Sequence, residues 1–451
     1  MMKHGLSALG DSVAALHRFE LAPRRWLPLV ALVVLALAVR LPTLSTMAFE
    51  PDLRHFAEWM RVIDQRGLWK FYKPAYRFDA QDRTYPPLST LTFAALVQVN
   101  GGSAPNPRFA MRDPNFVIQL KVFPVACELL MIAAVHIWLN KRPRLRWTIP
   151  IALALAPGLL ATTAWWGQYD APFTVFVVLA LLALNRDRPL WAWILFAIAA
   201  LIKQPAAVLA PLLLVVTFRR YGWRRTLISG VVSAAVFLLV TLPFALESGW
   251  DGALAPYLQA SDTYPFFSNN AYNFWHALAT IDKGVVMQFR DPAYADAQIW
   301  LAGLSYKAVS LVLFGTFVLL IMVITWRQAH QKREFVWAAA LFYGFFVLPT
   351  QVHERYLYPA AALVIIAIAQ DRRLIPAAIA AAFTYAYNIF AVTSTDVLDA
   401  SFLARSTFAV PVALINLLVL GLRVRWAVFD RQMQETPTRA VAAATAFRRA
   451  L

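Results

Sequence analysis

Two short stretches between apolar runs hold side chains suited to a phosphorylated substrate: LIKQP, with Lys203 and Gln204, and VHERY, with His353, Glu354 and Arg355. Cations beside a departing phosphate stabilise the charge that develops on it. A carboxylate near the acceptor can take the proton from the attacking hydroxyl. The candidates are Glu50 and Asp52 in FEPDLRHFAEW and Asp170 in WWGQYD. One carboxylate and a Lys/His/Arg cluster suffice to move a sugar from a lipid phosphate to a hydroxyl. The leaving phosphate monoester has a second pKa of about 6, so this chemistry calls for neither a general acid nor a bound metal or other cofactor.

Each residue has an ordinary alternative. Asp52 can simply cap a helix beginning near Leu53, and Asp170 can cap the helix after WWGQY. Trp165 and Trp166 can belong to an interfacial aromatic belt. Lys203 is harder to dismiss, because a lone charge in a long apolar stretch is expensive unless it faces water, a partner or a ligand. Glu128, beside Cys127 inside another apolar run, reads as a tie between helices. The single cysteine excludes an intrachain disulfide.

The elements that must position these residues are membrane helices. The 451 residues are 60% hydrophobic and only 15% charged, against about 25% charged in a soluble chain. Twelve candidate spans recur along the chain: 26–44, 118–139, 147–164, 170–185, 189–203, 205–218, 225–247, 304–326, 334–350, 356–370, 372–392 and 403–422. The fold class is therefore an all-α polytopic membrane protein. Residues 1–422 form a single transmembrane domain with outer loops over 45–117 and 248–303, followed by a basic cytoplasmic tail over 423–451. The first run follows a basic leader and reads as a span rather than a cleaved signal peptide.

A net charge of +17 would suit nucleic acid, but the basic residues occupy short joints such as KRPRLRW (141–147), RRYGWRR (219–225) and WRQAHQKRE (326–334). No nucleic-acid-binding motif interleaves them. They read as topology signals and contacts for anionic lipid headgroups. The alternate short joints hold only Lys203 and Arg355, so the positive-inside rule places residues 52, 203 and 353–355 outside the cytoplasm. In the first outer loop, Phe56, Trp59, Met60 and Ile63 recur with helical spacing and predict a helix lying on the membrane, apolar stripe down. The rival class is a polytopic transporter or lipid flippase. Such proteins place ionisable groups at mid-depth and use Gly-rich or broken helices. Here 16 glycines in 451 residues fall below the usual ~7%, and the polar residues gather at one end of the helices.

An acidic residue in the first outer loop, YPPL from Tyr85, Lys121-Val122-Phe123, WGQYD, LIKQ, NFW and HERY follow one another in an order that resembles GT-C fold glycosyltransferases. The chain looks most similar to the dolichyl-phosphate-glucose α-1,3-glucosyltransferases of asparagine-linked glycosylation and their bacterial relatives, including polyprenyl-phosphate-mannose mannosyltransferases. Their His-Phe-Gln-Tyr-Asn, Phe-Lys-Gln, Asn-Phe-Trp and His-Glu-Lys segments resemble Trp166 to Asp170, Ile202 to Gln204, Asn273 to Trp275 and His353 to Arg355. The resemblance implies an inverting hexosyltransferase with Asp52 as general base. Its implied binding set is Glu50, Tyr85, Trp166, Gln168, Asp170, Lys203, Gln204, Asn273, Trp275, His353, Glu354 and Arg355, with Lys203, His353 and Arg355 near the donor phosphate. The partners to expect are a polyprenyl-phosphate-linked mannose or glucose, a lipid-linked glycan or other hydroxyl acceptor, and membrane lipid, with no nucleic acid. The expected location is a bacterial plasma membrane, with the site on its outer face. Asp170 in place of Asn and Arg355 in place of Lys depart from the eukaryotic pattern, which leaves sugar and acceptor open.

Overall fold

The computed structural model describes residues 26–73, 85–259, 264–283, 292–397 and 408–422. The basic leader 1–25 and the tail 423–451 lie outside the described residues. The principal helices are α1 (Leu27–Ala38), α2 (Glu50–Arg66), α3 (Pro87–Val99), α4 (Pro114–Trp138), α5 (Leu145–Leu155), α6 (Asp170–Asn185), α7 (Pro189–Ile202), α8 (Ala210–Ser248), α9 (Trp250–Leu258), α10 (Phe274–Lys283), α11 (Tyr306–Gln328), α12 (Glu334–Val347), α13 (Tyr358–Ala367), α14 (Ile375–Val397) and α15 (Phe408–Leu422). Among the described residues the strands are one antiparallel pair, Ile299–Leu301 with Leu304–Ser305.

Proline sets many of the starts. Pro51, Pro87, Pro114 and Pro189 lie in the first turns of α2, α3, α4 and α7, where the missing N–H costs nothing and the fixed φ suits a helix. Four helical segments are long and apolar enough to cross a membrane alone: Pro114–Trp138, Gln204–Ser248, Tyr306–Gln331 and Arg372–Thr393. Leu145–Leu155 and Pro157–Trp166, bent by 53°, make a fifth if taken together. Leu27–Ala38, Asp170–Asn185, Pro189–Ile202 and Glu334–Val347 are apolar but shorter. Gln204–Ser248 is interrupted at Gly222, whose φ of 79° and ψ of 172° are not helical, so RRYGWRR is a turn. The protein is an all-α membrane protein.

Packing sorts the helices. Every residue of α13 is buried, and α6 and α12 are nearly so, as an element apolar all round requires. In contrast α8 and α11 leave Leu239, Leu246, Val312 and Leu319 exposed, the outer surface expected of lipid-facing helices. Glu128 does tie helices together. Its carboxylate accepts from Arg40 Nε at 2.8 Å, Thr163 Oγ1 at 2.5 Å and the Tyr358 hydroxyl at 3.3 Å, joining α4 to the end of α1, the turn before α6 and α13.

The surface-helix expectation is corrected. The stripe of α2 does not lie on lipid, because Leu53, Phe56, Trp59, Met60 and Ile63 are buried in the protein core. Phe56 packs on Tyr85, Phe93 and Tyr169 with centroids 5.2–5.8 Å apart. A helical stripe needs a cover, and α3 and α4 supply it here.

Candidate active site

Asp52 lies in the first turn of α2, after Phe49 at the N-cap, where no side chain caps the helix. Its Oδ2 accepts from Trp166 Nε1 at 3.1 Å and Gln168 Nε2 at 2.5 Å. Both donors can aim at one oxygen because Gly167 between them is left-handed at φ 84°. A Cβ there would sit 3.0 Å from Leu53 and Lys121, so both conformation and space call for glycine. Asp52 Oδ1 accepts no hydrogen bond among the described residues.

Asp170 opens α6 but does not cap it. Its two oxygens both take Lys203 Nζ at 2.9 Å, and both side chains are buried. Lys203 ends α7 in an extended conformation, φ −153° and ψ 132°, beside the rings of Tyr85 and Tyr356 at 5.5 and 5.4 Å. This contact stabilises a desolvated ammonium.

The joint carrying His353, Glu354 and Arg355 links α12 to α13. Arg355 Nη1 lies 2.8 Å from Glu354 and 4.0 Å from Asp52, its Nε lies 4.0 Å from Asp170, and its Cζ sits 5.7 Å above the Trp166 ring. A segment of the second loop braces this joint from behind. Asn269 N donates to Val352 O at 2.9 Å, Asn273 Nδ2 to Phe346 and Pro349 oxygens at 3.3 and 3.4 Å, and Trp275 Nε1 to Leu348 O at 2.6 Å. Phe346 lies in the last turn of α12 and Leu348 and Pro349 just after it, where carbonyls lack intrahelical partners.

The ends of these elements enclose a cavity of about 590 Å³. Of the residues singled out from sequence, Asp52, Tyr85, Gln168, Lys203, Gln204, His353 and Arg355 line it. Trp166, Asp170 and Glu354 stand directly behind, each bonded to a lining side chain. Asn273 and Trp275 hold the joint without lining the cavity, and Glu50 is 43% exposed and paired with Arg54. His55, Tyr264, Lys307 and Tyr356 also line it. His55 had a signal, three residues after Asp52 on the same helix face, and Tyr356 follows Arg355. Lys307, at the start of α11, had none.

Residues 84–350 match the family model for glycosyltransferase family 87. The chain belongs to that family. It is a GT-C-type glycosyltransferase, as the order of its motifs implied. The matched region contains Tyr85, Gln168 and Lys203 and leaves Asp52 and His353 to Arg355 outside it. The chain is also 25% identical over 264 residues to a dolichyl pyrophosphate Glc1Man9GlcNAc2 alpha-1,3-glucosyltransferase from Arabidopsis thaliana, over 52% of this chain and 51% of the relative. It thus spans about half the length of that relative.

Electrostatics in this glycosyltransferase separate the three basic groups. Burial pushes Lys203 down to about 8 against the pull of Asp170. Burial and the neighbouring Arg355 lower His353 below its ordinary value, so it is mainly neutral at pH 7 and serves as a hydrogen-bonding group rather than a third cation. Arg355 is held well above its ordinary value, since Glu354, Asp52, Tyr85 and Asp170 outweigh its desolvation. Glu354 resists desolvation through His353 and Arg355 and stays down at about 2.

Proposed function

We propose that this membrane glycosyltransferase moves a hexose, mannose or glucose, from a polyprenyl-phosphate donor to an acceptor hydroxyl, with inversion at the sugar carbon. The observation that carries the reading is the two-sided cavity. Asp52, Lys203, His353 and Arg355 gather at one wall, and Pro205, Ala207, Val208, Leu311 and Phe345 make an apolar wall. A phosphate attached to an isoprenoid chain needs both.

In this reading the acceptor oxygen attacks the anomeric carbon and its proton passes to Asp52 Oδ1. The bond from that carbon to the phosphate oxygen breaks, and its electron pair leaves on the phosphate. Trp166 and Gln168 pin Oδ2 and so orient the other oxygen, while Arg355 and Lys203 meet the developing charge. Because 4.0 Å separates Arg355 from Asp52, less than a hexose ring needs, Arg355 must swing toward the phosphate as the donor seats. His353 stands between Glu354 and the cavity that would receive the phosphate, so a bound phosphate adds negative charge beside the imidazole. Bound phosphate would therefore draw a proton onto His353.

The same reading includes twelve spans in one transmembrane domain over 1–422, a cytoplasmic tail over 423–451, and a site on the outer face of a bacterial plasma membrane. Incubating purified protein with polyprenyl-phosphate-mannose and polyprenyl-phosphate-glucose, with a mixed lipid-linked acceptor pool, tests the chemistry by mass spectrometry. Consumption of neither donor would overturn it. For sidedness, Glu50→Cys and Arg224→Cys in a Cys127→Ala background are probed in intact cells with an impermeant thiol reagent. Labelling at 224 but not at 50 would reverse the topology.

A further inference from the structure

A second cavity, of about 660 Å³, lies at the opposite end of the bundle. Helix α6 connects the two, beginning at Asp170 behind the catalytic cavity and ending at Asn185 in this one. Its 16 residues span about 24 Å at the α-helical rise. The second cavity is lined by Lys141, Arg142, Arg186, Lys332 and Arg333, brought from joints far apart in the sequence.

The carboxylates around this cavity are already engaged. Glu334 accepts from Arg220 at 2.5 Å, Asn185 at 3.1 Å and Gln370 at 3.3 Å. Asp187 holds Lys332 at 2.5 Å, and Asp371 holds Arg333 at 2.5 Å and Arg373 at 2.7 Å. Lys141 and Arg186 have no ion pair among the described residues. The wall beside them is the end of α4, where Ile137 is 43% exposed, Trp138 is half-buried and the following Leu139 is buried. A free anion has no use for that wall, whereas a headgroup with acyl chains attached fits both parts.

We propose that this cavity is a binding site for the phosphodiester headgroup of an anionic phospholipid, with its acyl chains along the exposed end of α4. The site is independent of sugar transfer, since none of its residues takes part in the catalytic cavity. A basic pocket between helix ends attracts such headgroups with a contribution of about fivefold in affinity per Lys or Arg.

The test uses full-length delipidated protein in neutral detergent, titrated by native mass spectrometry with phosphatidylglycerol, phosphatidylcholine and inorganic phosphate. Wild type should retain phosphatidylglycerol over phosphatidylcholine, and millimolar phosphate should not displace it. Lys141→Gln with Arg186→Gln should weaken phosphatidylglycerol by about thirtyfold and leave phosphatidylcholine unchanged. Arg224→Gln with Arg225→Gln removes equal charge from exposed positions in the neighbouring turn and should change little. Equal weakening by both pairs would reduce the effect to diffuse surface attraction and overturn the site. Undiminished binding in the Lys141/Arg186 pair would do the same, and displacement by phosphate would exclude the lipid. Should the pair unfold, Lys141→Gln alone, at an exposed side chain, must still give about a fivefold loss.

Discussion

Replacing Asp52 by Asn tests the chemistry most directly. The Asn carbonyl oxygen can keep the acceptor position that Trp166 and Gln168 address at 3.1 and 2.5 Å, so the loop keeps its shape. What is lost is basicity at the other terminal atom. Removing a general base costs between about a hundredfold and ten-thousandfold in transfer, about 2.7–5.4 kcal/mol of barrier. Donor binding should move the other way. Asp52 lies 4.0 Å from Arg355 Nη1, and opposite charges at that distance attract by about 4 kcal/mol at an effective dielectric near 20. Without that attraction Arg355 is freer to meet the phosphate, so donor affinity should hold or tighten. Glu50→Gln alters only an exposed pair with Arg54, and such pairs contribute about 0–1 kcal/mol, so transfer should stay within about twofold. The assay measures lipid-donor binding and sugar product in parallel for both variants. Normal transfer by Asp52→Asn, with loss in Glu50→Gln, would make Glu50 the base and refute the reasoning.

Arg355→Ala should lower turnover by about a hundredfold or more by removing a charge-assisted contact to the departing phosphate, and Arg355→Lys should recover part of it because a point charge remains without the fork; wild-type turnover in the alanine variant would remove Arg355 from the site. Transfer should decline as pH rises through about 8, where Lys203 loses its proton, and Asp170→Asn should move that decline to lower pH because the carboxylate that favours the charged form is gone; an unmoved limb would argue against the pair. The stability effect of Lys203 has the opposite sign, since its lowered folded value means that the folded state binds fewer protons and gains stability from about pH 8 to 10.4. Below pH 7, where Lys203 stays charged, donor binding should take up a proton because phosphate raises His353 from its lowered value; calorimetry in buffers of different ionisation enthalpy reads this directly, and His353→Gln should abolish the uptake in that range. Glu128→Gln should destabilise the protein by about 3–5 kcal/mol by leaving the fully buried Arg40 without its charge partner, measured as a fall in unfolding temperature that Arg40→Met largely reverses.

The apolar runs mark the helices directly, because a chain in lipid must satisfy its backbone internally and the helix does so wherever side chains are apolar for long enough. The run 170–185 coincides with Asp170–Asn185, and 189–203 nearly with Pro189–Ile202. The order of WGQYD, LIKQ and HERY likewise pointed to the family and to Gln168, Lys203, Gln204, His353 and Arg355 among the lining residues. Contact partners were not legible in the same way. The stripe Phe56, Trp59, Met60 and Ile63 has one periodicity whether lipid or protein covers it, and only the packing of α2 against α3 and α4 chose protein. NFW and HER both look like binding motifs in sequence. The structure turns Asn273 and Trp275 toward the carbonyls of 346–349 and Arg355 toward Asp52 and Asp170, because a short motif carries donors and acceptors but not their direction. Two arrangements had no local signal: Lys307 at the first cavity, and the convergence of Lys141 with Arg186 in one basic cavity, although KRPRLRW by itself read as a headgroup contact. They exist only because distant joints meet at the ends of packed helices, and that meeting is set by the core rather than by the residues that use it.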